Sequence, residues 1–183
     1  KIYFWSPFIS HIATCKAVIN SAKSLKKYSS SYDAYIINFF GEFSKNEKEI
    51  KNNNIKLIGH FGNKLINFLP SQGKIKSKLS FLIIFLLGFI PLKKLITKEN
   101  PDYLIIHLIT SLPLILLIFF NFNTKFILRI SGFPKMNLIR KFIWRLAFKK
   151  IHLITCPTNN TLNYIKELKI IDDKKLKLLY DPI

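Results

Sequence analysis

The chain has 183 residues, 49% hydrophobic and 14% aromatic, which gives enough apolar mass for a two-sided core and argues against disorder. Twenty-nine Lys/Arg against 10 Asp/Glu leave a formal net charge of +19. That balance favours anionic partners (nucleic acid, an acidic membrane surface, phosphorylated substrates), although a coding bias toward Lys, Ile, Asn and Phe would give the same charge as a plain basic surface.

In chain order, "IYFW" (2–5) reads as a first strand. Apolar residues at Ile12, Cys15, Ile19 and Ala22 then recur at helical spacing. "YDAYIINFF" (32–40) is a second strand followed by a polar, weakly helical stretch, and "IKLIGH" (55–60) is a third. A loop with Gly62, Pro70 and Gly73 leads into an apolar helix over 76–98, in which Gly88 and Pro91 are expected to kink or break the final turns. "DYLIIH" (102–107) is strand four, with Thr110 or Ser111 capping the next helix and Pro113 in its first turn. "TKFILRI" (124–130), "IHLITC" (151–156) and "KLKLLY" (175–180) complete seven strands. Between them lie a helix over 137–149, expected to bury Leu138, Phe142, Ile143 and Leu146, and one from Thr158 to Leu168.

Uninterrupted Ile/Leu strands alternating with helices indicate one α/β domain, a Rossmann-like parallel sheet of about seven strands with helices on both faces. If the strands are ordered 3-2-1-4-5, a ligand mouth opens between strands one and four, beyond their carboxyl ends. His107 ends strand four there, opposite the loop "SPFISHIAT", and the helix start that follows favours anions.

Two apolar runs raise the question of a membrane. The run 81–92 falls short of the ~20 residues a spanning helix needs, whereas 103–122 has the length but reads as strand, turn and helix because His107, Thr110, Ser111 and Pro113 interrupt it. The helix over 137–149, with Trp144 and a basic face, suits lying on an acidic bilayer or simply being solvated. Cys15 and Cys156 form no C-x-x-C pair, which fits a reducing compartment. The start at Lys1 carries no signal peptide and is expected to belong to a partial chain.

The absent motifs narrow the chemistry. No G-x-G-x-x-G or Walker loop occurs, so NAD-dehydrogenase and P-loop readings drop out. His11, His60, His107 and His152 lack companions at zinc-ligand spacing, and there is no D-x-D to hold a metal-bound nucleotide, so neither a metal nor a cofactor is expected. Glu42 is the one acidic residue near a strand's carboxyl end; it reads as a sugar-hydroxyl contact or, more simply, a solvated loop charge. Ser10 and Thr14 offer hydroxyls to a phosphate or cap a helix. Ser131 and Gly132, in "RISGFPK" (129–135), place a turn near the mouth, and Arg129 and Lys135 suit phosphate or solvent. Cys156 reads as a buried packing residue.

"SPFISHIATCKAVINSAKSL", "PDYLIIHLITSLPL", "RISGFPK", "ITCPTNNTLNYI" and the closing "KLKLLYDPI", in that order, resemble the N-terminal half of family 4 glycosyltransferases of the GT-B type. The resemblance implies two Rossmann-like domains around a cleft, with metal-independent transfer of a sugar from a nucleotide-sugar to a lipid-linked or polysaccharide acceptor. It implies that His107 is the catalytic-site histidine contacting the reacting sugar or its phosphate. Ser10, His11, Ala13, Thr14, Ser131, Gly132 and Lys135 would then line the substrates, with Ala13 near a customary glycine and Ser131 at about the place of a histidine in relatives. Residues 1–180 would form the acceptor-side domain and 181–183 the start of a link to a nucleotide-sugar-binding domain, so the chain would be an inactive half by itself. A cytoplasmic setting, peripheral on the inner face of the membrane, goes with this reading. The alternative is a non-catalytic basic module for nucleic acid or an anionic membrane. No nucleic-acid motif or row of interleaved aromatics supports the former.

Overall fold

The structure is a computed structural model that describes residues 1–8, 13–29, 31–62, 65–70 and 74–180, the side chains of residues 13, 74 and 75 excepted. The seven expected strands are present: β1 (Ile2–Trp5), β2 (Ala34–Asn38), β3 (Lys56–Gly59), β4 (Tyr103–Ile106), β5 (Lys125–Arg129), β6 (Leu153–Cys156) and β7 (Leu176–Leu178). They form one sheet in the order β3-β2-β1-β4-β5-β6-β7, with every neighbouring pair parallel. The helices are α1 (Ala13–Tyr28), α2 (Glu47–Asn52), α3 (Leu65–Phe68), α4 (Lys74–Glu99), α5 (Ser111–Phe119), α6 (Leu138–Lys150) and α7 (Asn159–Glu167). This is a Rossmann-like α/β sheet, as the alternation of elements implied.

The period-2 geometry of a strand sends alternate residues to opposite faces, and the two faces have separate cores. Tyr3, Trp5, Leu104, Ile106, Phe126 and Leu128 pack with residues of α4 to α7. Ile2, Phe4, Ala34 and Ile36 pack with α1 and α2, through residues such as Val18, Ile19, Ala22 and Ile50. Fully burying each such large apolar side chain is worth about 1.5–3 kcal/mol.

Two expectations about helices are corrected. The first concerns α4, which runs unbroken through Gly88 and Pro91 to Glu99. Pro91 deprives the turn of one amide donor, but Ile84, Leu92 and Ile96, fully buried on either side of it, tie the helix to the core. Gly88 serves close packing: a Cβ there would lie 3.0 Å from Leu112 Cδ1, 3.3 Å from Phe40 Cζ and 3.4 Å from Trp5 Cη2. The second concerns α6, where Ile143 and Leu146 are half-buried but the fully buried face is turned from the one expected. Trp144, Ala147 and Phe148 are buried, whereas Leu138 is 87% and Phe142 63% exposed, because the Trp144 register brings the bulkiest apolar group to the sheet.

Residues 103–122 are strand, turn and helix, as expected. Among the described residues, the stretch with the length and composition to cross a membrane is instead Lys76–Glu99, of mean hydropathy 2.1; the run 81–92 is only its middle.

Candidate functional site

The chain leaves β1 toward β2 and β3, then returns to the other side of β1 as β4. The topological switch point is therefore at the carboxyl ends of β1 and β4, where open α/β sheets bind ligands. His107 stands there. Its amide donates to the Trp5 carbonyl at 2.9 Å, extending the β1–β4 ladder by one step, and its ring lies 6.2 Å from that of Phe4. The residue is only 5% exposed, so it forms the floor of the site and not the open rim expected from the sequence.

The next turn is unusual. Ile109 has φ of +46°, a left-handed conformation that a β-branched residue adopts at a cost. The Trp5 indole Nε1 donates to the Ile109 carbonyl at 3.2 Å and holds the turn. α5 follows at once. Thr110 occupies the N-cap position, but its side chain makes no capping bond, in contrast to the expected cap. Asn137 and Thr158 do cap α6 and α7 through their side chains.

Two cavities meet at this floor. One of about 640 Å³ opens above β4 and β5, lined by His107, Thr110, Ser111, Arg129, Ser131, Gly132 and Arg140 among others. It unites His107 with the Ser131–Gly132 turn, as the sequence suggested. Gly132 has open space where a Cβ would stand, so the site has room there without demanding glycine. The second, of about 360 Å³, lies on the α1 face of the sheet, between Leu25 of α1 and Leu179–Tyr180, over Ile105, Ile127 and Leu153. His107 and Arg129 line both.

Of the other expected residues, Ser10 and His11 lie outside the described residues, as does the Ala13 side chain. Thr14 is half-buried in the first turn of α1 and lines neither cavity. Lys135 is exposed, one residue beyond the cavity-lining Pro134, and its carbonyl accepts from Arg140 Nη1 at 2.7 Å.

Arg129 was read as a phosphate contact or a surface charge. Only 3% exposed, it donates through Nη2 to the Leu179 carbonyl at 3.1 Å. Its position in "KFILR", on the same face as the half-buried Ile127, is a signal that could have marked it. Arg140, exposed on α6, also lines the cleft. Together with the amide-bearing start of α5, these two guanidinium groups make the cleft suited to an anion.

Glu42 is a correction. It is buried, not solvated, and burial pushes its carboxyl up to about 8 against the hydrogen bonds to backbone amides. The Phe40 amide donates to Oε2 at 2.9 Å, and Oε1 meets no hydrogen-bond partner among the described residues. It lines neither of the two cavities. Both thiols are also buried; desolvation raises Cys15 and Cys156 to about 11, which keeps them protonated and fits Cys156 as packing.

No protein-family model matches the chain, and no curated protein matches it in sequence. Among solved structures, the crystal structure of a glycosyltransferase from Rickettsia africae ESF-5 is similar, with a TM-score of 0.60 at 17% identity. The match covers 98% of this chain and 42% of that one. What the two share is a fold. The chain spans less than half the length of that neighbour.

Proposed function

We propose that this chain is the acceptor-side part of a glycosyltransferase of the GT-B, family 4 type, moving a sugar from a nucleotide-sugar onto a lipid-linked or saccharide acceptor. The observation that carries the reading is the position of His107 at the switch point, on the floor of a cleft shared with Arg129, the Ser131–Gly132 turn and the start of α5. Likeness of fold to a glycosyltransferase supports it.

On this reading the imidazole of His107 hydrogen-bonds the reacting sugar or the departing phosphate. Arg129 and Arg140 offset the negative charge that builds on the leaving diphosphate, and Ser131 supplies a hydroxyl. Ser10, His11, Ala13 and Thr14 would contact the substrates, and Lys135 would attract the donor from outside.

The test is nucleotide release from a panel of nucleotide-sugars, with and without membrane-extracted acceptor, by the longest protein that carries this chain. His107→Ala is expected to lower turnover by roughly 10²-fold or more; because the ring is buried, a melting curve with a cooperative transition verifies that the variant is folded. Undiminished turnover by a folded His107→Ala protein would remove the assignment.

A further inference from the structure

The buried and exposed faces of α4 are both apolar. Ser80, Ile84, Gly88, Leu92 and Ile96, four residues apart, face the sheet and are buried. On the other side Leu79, Leu82, Leu86 and Ile90, three or four residues apart, form a second row, 50% to 62% exposed. At about 1.5 Å per residue the row is some 16 Å long. Phe81 of α4 and Ile139 of α6 line the same cleft, and Leu138 and Phe142 of α6 are exposed apolar residues as well. A contiguous exposed apolar patch of this kind marks an interaction surface.

Its border identifies the occupant. Lys76 and Lys78 precede the row, Lys94 and Lys98 follow it, and all four are exposed. No Asp or Glu occurs from Lys74 through Lys98. The row itself offers no hydrogen-bonding side chain of the sort that punctuates protein interfaces. Two copies of the chain, each carrying +19, would bring lysine-bearing helix ends against one another. An anionic bilayer instead takes the aliphatic row into its acyl boundary and the lysines into its headgroups. We infer that the outer face of α4 is a membrane-docking surface that lays the protein on anionic lipid, with the α6 start and the cleft mouth beside the bilayer. Trp144, which the sequence offered as an anchor on α6, is buried and takes no part.

Lipid binding by a protein that transfers no sugar would still uphold this surface. The experiment is sedimentation of the protein with vesicles of phosphatidylcholine mixed with phosphatidylglycerol, and with phosphatidylcholine alone. Binding is expected to the mixed vesicles, weakening as salt is added. Leu82→Glu with Leu86→Glu is expected to reduce it at least about tenfold. Lys76→Gln with Lys94→Gln is expected to cost about fivefold per lysine, on the anionic vesicles only. All four positions are exposed, so an unchanged melting temperature verifies the fold of each variant. Absence of binding to mixed vesicles, or binding retained by the double glutamate variant, would overturn the inference. So would a dimer in analytical ultracentrifugation that the glutamate variant disperses, since the row would then belong to a second copy.

Discussion

The indole of Trp5, at the end of the first strand, donates to the carbonyl of Ile109, 104 positions later, across 3.2 Å. This bond joins the two strands that flank the switch point and pins a turn whose central residue has φ of +46°. Trp5→Phe keeps an aromatic in a fully buried position but removes the donor. The expected loss is roughly 1–3 kcal/mol of stability, measurable by urea unfolding. Amide exchange at 108–111 should accelerate more than exchange in β5. Equal protection in both regions would show that the turn holds itself.

Gly88 predicts a steric effect. With Leu112, Phe40 and Trp5 all within 3.4 Å of a would-be Cβ, Gly88→Val overpacks the junction of α4, α5 and β1. A loss of about 1–3 kcal/mol is expected, even though valine is a better helix former than glycine. A melting temperature at or above the parent's would mean that the junction gives way easily.

Glu42 predicts a pH effect of definite sign. Its carboxyl has an ordinary value of 4.5 when exposed and about 8 when folded. Between those values the folded state keeps a proton that the unfolded state has lost, so stability falls as pH rises through that window. Stability is fullest below 4.5 and declines until the folded carboxyl ionises near 8. Cys15, whose thiol is raised in part by the charges of Glu49 and Glu42, stays neutral throughout. Glu42→Gln should flatten the slope of urea midpoint against pH, by an amount on the order of 2–4 kcal/mol across the window. A slope identical to the parent's would place the acid response elsewhere.

Gly132 and Arg129 separate binding from stability within one cleft. Gly132→Ala meets open space and should leave stability within about 0.5 kcal/mol, so any loss of donor binding reports ligand contact. Arg129→Met strips the Leu179 carbonyl of its buried donor and should cost roughly 2–3 kcal/mol. Calorimetric melting of both variants, beside binding of a nucleotide-sugar, distinguishes the two effects.

The strands were legible because a parallel sheet covered on both faces demands continuous Ile/Leu runs. "YLII" and "FIL" carry that demand without reference to anything distant. The switch point followed from the order of those strands, and with it the placing of His107 beside the Ser131–Gly132 turn. The depth of the site was legible only in part: the apolar run "KFILR" marks Arg129, but nothing local to Glu42 tells whether a neighbouring element will close over the charge. Gly88 shows the same limit from the other side, since its use depends on Trp5 and Phe40, which lie far from it in sequence.

The sequence alone determined the alternation of strands and helices and, through it, the parallel sheet, because hydrophobic period is a property of adjacent residues; the order of the strands, on which the switch point depends, belongs to the tertiary structure. Only the tertiary structure decided which face of α6 turned inward, that α4 continued through Pro91, and that an aliphatic row on α4 stayed uncovered. A helix with apolar residues all round carries no signal for which side meets the core. That choice is made by the shape of the sheet against which it packs.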